Sequence, residues 1–307
     1  MTTDITFTSH GVTCAAWHVP ATSDAHATAA GRPCVVMAHG FGCTRDSGLL
    51  GYAEAFADAG IDAFLFDYRG FGDSEGSPRQ DVSVRRQRQD YRAALAAARR
   101  LPGVDPDRIV LWGTSYSGGH AVVVAAEDRR VAAVVALTPA TDGLATLVQL
   151  VRQAGAGRLL RMAGHGLRDT VRALSGGAPH LLPIIGPPGT LAMMNTPDAE
   201  TITTTIVGPA FRNEVRARTA LEVGLNRPVR HAGRLTCPIL VQVGTDDHVA
   251  PPDAARRTAR KAGTWAQLRE YPVDHFDVYD GSWQKLALAD QLAFLSRALD
   301  PARSARA

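Results

Sequence analysis

Lysine is almost missing from this chain: Lys261 and Lys285 are the only two in 307 residues. The basic residues are therefore nearly all arginine, and 33 of them against 30 acidic residues leave a net charge of only +3. So even a balance builds no strong positive field, and nucleic acid is not an expected partner. The arginine run Arg85-Arg86-Gln87-Arg88 has no aromatic residues interleaved and reads as a solvated helix face. Cysteine is scarce as well. Cys14, Cys34, Cys43 and Cys237 show no metal-ligand spacing and read mainly as small apolar filler. Ten histidines contain no HExxH-type pair, so no metal site is expected. The longest apolar runs, such as 131–137, fall far short of the roughly 20 residues that span a bilayer. Met1-Thr2-Thr3-Asp4 lacks a basic stretch leading into an apolar one. No signal peptide is expected, and a cytoplasmic location is the default.

What is present is an alternation of short apolar runs and helical patterns. Residues 5–10 and 12–19 read as two strands joined at Gly11, an antiparallel edge. Buried strands follow at 34–38, 63–66, 109–112, 131–137, 238–244 and 267–272. Helices are expected over 52–59, which stops at Gly60, over 84–101, which stops before Pro102-Gly103, and over 120–126. Strands separated by helices predict an α/β fold with a mainly parallel, doubly wound sheet covered on both faces. Between 143 and 231 that rhythm breaks. Apolar patches at 144–151, 159–162 and 181–185 sit among dense punctuation at Pro183, Gly186, Pro187, Pro188 and Gly189. The tail 303–307 is expected to fray.

Chemistry concentrates in Gly113-Thr114-Ser115-Tyr116-Ser117-Gly118-Gly119, between the apolar run 109–112 and an Ala/Val-rich segment. A strand, a tight turn and a helix there would lift the Ser115 hydroxyl into a cleft. The strand and helix nearly touch at such an elbow, so positions two before and two after the serine must be small. Gly113 meets that condition and Ser117 nearly does. A serine hydroxyl needs a base to take its proton and a third group to orient the base. In a sheet of this kind the partners follow in the order serine, acid, histidine. Asp246 and Asp247 follow the strand 238–244, and His275 follows the strand 267–272. All three positions lie at carboxyl ends of strands, where open α/β sheets bind ligands.

Together with His39-Gly40-Phe41-Gly42 and Asp67-Tyr68-Arg69-Gly70-Phe71-Gly72-Asp73-Ser74, these motifs resemble the α/β-hydrolase superfamily over residues 33–142 and 232–298. The Ser115-Tyr116 pair resembles the branch of X-Pro dipeptidyl-peptidases and cocaine-esterase-like acyl hydrolases. The chain departs from that branch by lacking length for its extra β-domain and by carrying Phe41 where some members have tyrosine. The resemblance implies an acid three positions after Gly244, hence Asp247, with Asp246 a turn residue. It implies an oxyanion hole from the backbone N–H groups of Phe41 and Tyr116. It also implies a lid over 143–231, inserted into a core of 1–142 and 232–307. The apolar patches of that segment point to a helical cap that places Leu144, Leu159 and Met162 in an apolar pocket; a fixed cover on the sheet edge is the alternative.

The neighbours of these residues read as supporting structure. His39 would brace its loop, as would Asp67, Arg69 and Asp73 theirs. His248 would face solvent, Asp274 would have a surface role, and Cys43, near the oxyanion loop, would be accessible to thiol reagents. The leading expectation is a cofactor-free serine hydrolase for a small-molecule carboxylic ester or thioester with an apolar acyl part. Acyl transfer, amide cleavage and carbon–carbon bond hydrolysis use the same triad. A non-catalytic ligand binder on the same scaffold would not need serine, aspartate and histidine together. Oligomeric state is not legible.

Overall fold

The computed structural model describes residues 2–196 and 206–300. The segment 303–307 lies outside them. Ten strands are present among the described residues: β1 (Thr3–Ser9), β2 (Val12–Val19), β3 (Arg32–Ala38), β4 (Asp62–Phe66), β5 (Val104–Thr114), β6 (Val131–Leu137), β7 (Leu181–Leu182), β8 (Val215–Arg216), β9 (Ile239–Gly244) and β10 (Ala266–Tyr271). Eight of them form one sheet in the order β1-β2-β4-β3-β5-β6-β9-β10. The β1–β2 and β2–β4 pairs are antiparallel, and every other pair in that sheet is parallel. β7 and β8 make a separate antiparallel pair.

Period two explains why the central strands are apolar throughout. Cys34, Val36 and Ala38 face one side with Phe64, Phe66, Leu111, Val134 and Val241. Val35 and Met37 face the other with Leu65, Val110, Trp112, Val135 and Leu240. Helices cover both sides, so neither face of the strand can be polar. The chain runs outward from β3 to β4 and then returns to the opposite flank of β3 as β5. This reversal sets the loops after β3 and β5 side by side, with Ala38 paired to Gly113. Crevices open at such switch points.

A buried chain of side-chain hydrogen bonds anchors the last helix, Gly281–Ala298, under the strands that carry the later motif residues. Trp112 Nε1 donates to Gln291 Oε1 (2.9 Å), and Gln291 Nε2 donates to Gln242 Oε1 (2.7 Å). Gln242 Nε2 donates in turn to the Tyr271 hydroxyl (2.7 Å) and the Ala287 carbonyl (2.8 Å).

Residues 143–174 form α4 (Gly143–Leu174), which follows α1 (Leu50–Asp58), α2 (Val84–Ala98) and α3 (Tyr116–Glu127). The two apolar patches read separately from the sequence are thus two parts of one helical element. Its backbone breaks at Gly155 (φ +76°, ψ 161°), a conformation natural to glycine, so the halves point in different directions. No helix among the described residues is long and apolar enough to cross a membrane.

Candidate active site

Ser115 holds φ +54° and ψ −119°, unusual for a residue with a side chain. The elbow is held there by its neighbours. The Ser115 N–H donates to the Leu137 carbonyl (2.9 Å), and the Ser115 carbonyl accepts from Ala140 N–H (2.8 Å). A Cβ at Gly113 would overlap the Ser117 carbonyl, and one at Gly118 would lie 2.8 Å from Pro139 Cβ. Ser117 fits because its hydroxyl is used: Oγ donates to the Ala38 carbonyl (2.6 Å) and accepts the Thr114 N–H (2.9 Å). That side chain stitches the elbow to β3.

Three loops then converge. His275 Nε2 lies 2.9 Å from Ser115 Oγ, and His275 Nδ1 lies 2.6 Å from Asp247 Oδ2. All three residues are buried. The other carboxylate oxygen of Asp247 accepts the N–H groups of Val249 (2.8 Å) and Ala250 (2.6 Å). Gly244 permits the approach of the two loops, since a Cβ there would sit 2.7 Å from the Val273 carbonyl. Asp246 points outward and is exposed. His248 is exposed too.

Asp274 corrects the expectation of a surface role. Its side chain is mostly covered, at 15% exposure, and it bridges the acid and histidine loops. It accepts from His248 N–H (3.0 Å), from His248 Nδ1 (2.8 Å) and from His275 N–H (2.6 Å). Adjacency to His275 concealed this, because the second loop comes from a distant part of the chain.

The loop after β3 lies against the serine: a Cβ on Gly40 would stand 3.4 Å from Ser115 Cβ. The Phe41 and Tyr116 rings meet edge to face at 5.4 Å. Asp67 braces this region, accepting from Arg45 N–H (2.7 Å), the Arg45 guanidinium and Asp73 N–H (3.2 Å). Arg69 braces through Asp90. His39 packs against Tyr68 at 4.9 Å with Nδ1 3.0 Å from the Gly40 carbonyl. Burial lowers its basicity, so it stays neutral within its packing.

Cys43 is half-buried and lines a small pocket with Ser115, while burial, reinforced by Asp46, pushes its thiol up to about 12. Burial raises the thiols of Cys14, Cys34 and Cys237 as well. The thiolate is the reactive form, and it is nearly absent well below a raised pKa. Titration of the native protein with a thiol-specific disulfide reagent at pH 8 is therefore expected to be very slow, with four thiols released on denaturation. Rapid release of one thiol from the native protein would contradict this.

A cavity of 130 Å³ opens beside Ser115. Its wall is mostly apolar: Phe41, Leu147, Leu150, Leu159, Met162, Met193, Met194 and Val223. Leu159 and Met162 line it as expected, but Leu144 does not. Gly143, Thr146, Leu147 and Leu150 recur at helical spacing and turn inward. Leu144 and Val148, one turn apart on another face, are 48% and 45% exposed. Leu147 and Leu150 were legible from that same spacing once the helix begins at Gly143. Met193, Met194, Asn226 and Arg158 carried no sequence signal.

The family described as serine aminopeptidase, S33, matches residues 29–273. The chain belongs to this family. It is an enzyme, a hydrolase with the α/β-hydrolase fold. The quorum-quenching protein AidA of Acinetobacter baumannii (strain MDR-ZJ06) is 36% identical over 296 residues, 96% of this chain and 94% of that protein. The thiohydrolase aneE of Aspergillus aculeatus (strain ATCC 16872 / CBS 172.66 / WB 5094) is 43% identical over 107 residues, 35% of this chain and 34% of that protein. In fold, the chain is similar to the crystal structure of the α/β hydrolase GrgF from Penicillium sp. sh18, with a TM-score of 0.80 at 24% identity over 97% of this chain and 99% of that one. The X-Pro dipeptidyl-peptidase branch suggested by the elbow finds no support in these matches. A two-residue pair at an elbow reports local sterics and does not determine the branch of an S33-family hydrolase.

Proposed function

We propose that this S33-family hydrolase cleaves a carboxylic ester or thioester with an apolar acyl part through an acyl-enzyme. The observation that carries this is the hydrogen-bonded series Ser115–His275–Asp247, buried at an elbow that opens on a mostly apolar cavity. His275 takes the Ser115 proton as Oγ attacks the carbonyl carbon, and returns it to the leaving alcohol or thiol. Water then repeats the sequence on the acyl-serine. Asp247 holds the imidazole in the tautomer whose Nε2 accepts, and it stabilises the imidazolium. The backbone N–H groups of Phe41 and Tyr116 receive the developing oxyanion, a contribution worth about 3–4 kcal/mol per donor in comparable sites. Residues 143–231 act as a lid over the core, 1–142 and 232–307, and shape the acyl pocket. The similarity to a thiohydrolase and to a quorum-quenching protein agrees with acyl chemistry on small molecules.

The test is a panel of p-nitrophenyl esters of rising acyl length, run beside acyl thioesters and anilides. Medium or long acyl groups should outperform acetate, each added methylene gaining about 0.8 kcal/mol, roughly fourfold in kcat/KM, until the cavity is full. Leu159→Gln and Met162→Gln should flatten that dependence more than they lower Tm. If acetate is best and these variants only destabilise, the segment is structural cover and the acyl class is wrong.

A further inference from the structure

Arg158 stands on α4 just past the break at Gly155, and it lines the same cavity as Ser115. It is only 8% exposed. Its guanidinium donates to Asn195 Oδ1, to the Ala192 carbonyl (2.9 Å) and to the Met193 carbonyl (3.5 Å), all neutral acceptors. Its Nε–H has no partner. Among the described residues no carboxylate pairs with it, and the charge that acts on it most is the like charge of Arg161. Burial and that repulsion both work against its protonated form.

The other buried arginines show how this chain ordinarily treats such a group. Arg45 pairs with Asp67 and Asp73, Arg69 with Asp90, and Arg216 with Asp169. Arg108 donates to backbone carbonyls but feels the charge of Asp105. Arg158 alone among these five faces a cavity without a counter-charge among the described residues. A buried cation left this way is costly, and a guanidinium remains charged at any ordinary pH.

We propose that the substrate supplies the missing anion: an ester or thioester whose acyl part carries a carboxylate, which Arg158 receives inside the cavity while the apolar walls hold the chain between. This rests on the acyl-hydrolase reading above and names its substrate class. The planar fork of arginine suits a carboxylate, and charge-assisted hydrogen bonds are stronger in a site that excludes water. The walls formed by Leu147, Leu150 and Met162 call for methylenes between the carboxylate and the scissile carbonyl. The matching chemistry is a half-ester or half-thioester of a linear dicarboxylic acid.

The experiment compares mono-p-nitrophenyl esters of linear dicarboxylic acids of rising length with their methyl-capped counterparts. At the best length the free carboxylate should raise kcat/KM at least about tenfold over the capped ester, chiefly through KM. Arg158→Gln should bring that ratio close to one, and Arg158→Lys should restore part of it. Arg161→Gln, an exposed neighbour outside the cavity, should keep both the ratio and the rate. Should Arg158→Gln fail to fold, competitive inhibition of the wild type by free dicarboxylates against monocarboxylates of equal length reads the same preference. A ratio near one at every length in the wild type would overturn the proposal. Turnover of capped esters keeps the hydrolase reading intact through that failure. Absence of turnover on every ester and thioester, with no fluorophosphonate labelling, is the failure of that reading instead.

Discussion

Ser115→Ala is expected to abolish ester turnover, with kcat falling on the order of 10⁴–10⁶-fold, the range seen when a serine nucleophile is removed elsewhere. The fold should survive. Alanine is no larger than serine at a turn whose neighbours tolerate little bulk, and the hydrogen bonds that pin the elbow come from the backbone of Ser115 and from Ser117 Oγ, which the substitution leaves in place. Covalent labelling by a fluorophosphonate should vanish in the variant while its circular dichroism and Tm stay close to wild type. Strong labelling that persists would assign the nucleophile to another residue.

His275→Ala and Asp247→Asn should be nearly as severe, the second by about 10⁴-fold in kcat, because an amide beside Nδ1 favours the tautomer whose Nε2 cannot accept the serine proton. Asp246→Asn should retain most activity, since Asp246 is exposed and its neighbour makes the 2.6 Å contact with the imidazole. Steady-state kinetics on the three purified variants decide the matter. An inactive Asp246 variant beside an active Asp247 variant would reverse the choice of acid while leaving serine and histidine in place.

Much of the architecture was legible in the sequence because it follows from short-range rules. Apolar runs of strand length, flanked by glycine and proline, predicted the parallel core strands and the antiparallel edge, and the structure has them within a residue or two, except β5, which starts at Val104, five residues before the run that predicted it. The elbow was legible for the same reason: close contact between β5 and α3 admits only small residues, and that requirement is written into Gly113, Ser117 and Gly118. The order of Ser115, Asp247 and His275 reflects chain topology, which sequence preserves.

The rest was decided by tertiary structure, in each case because it depends on which distant surfaces meet. Leu144 and Leu147 are equally apolar in the sequence, and only the rotation of α4 against its neighbours turned one outward and the other into the cavity. Asp274 became a bridge when the loops after β9 and β10 closed over Gly244. Burial raises the Cys43 thiol, and no local pattern encodes that burial. Arg158 was one arginine among many until the break at Gly155 carried it to the cavity wall. Composition and spacing therefore determined the fold class and the order of Ser115, Asp247 and His275 along the chain, since these obey local sterics and periodicity. Packing between remote segments alone determined burial, rotation and charge pairing, and through them the shape and polarity of the cavity.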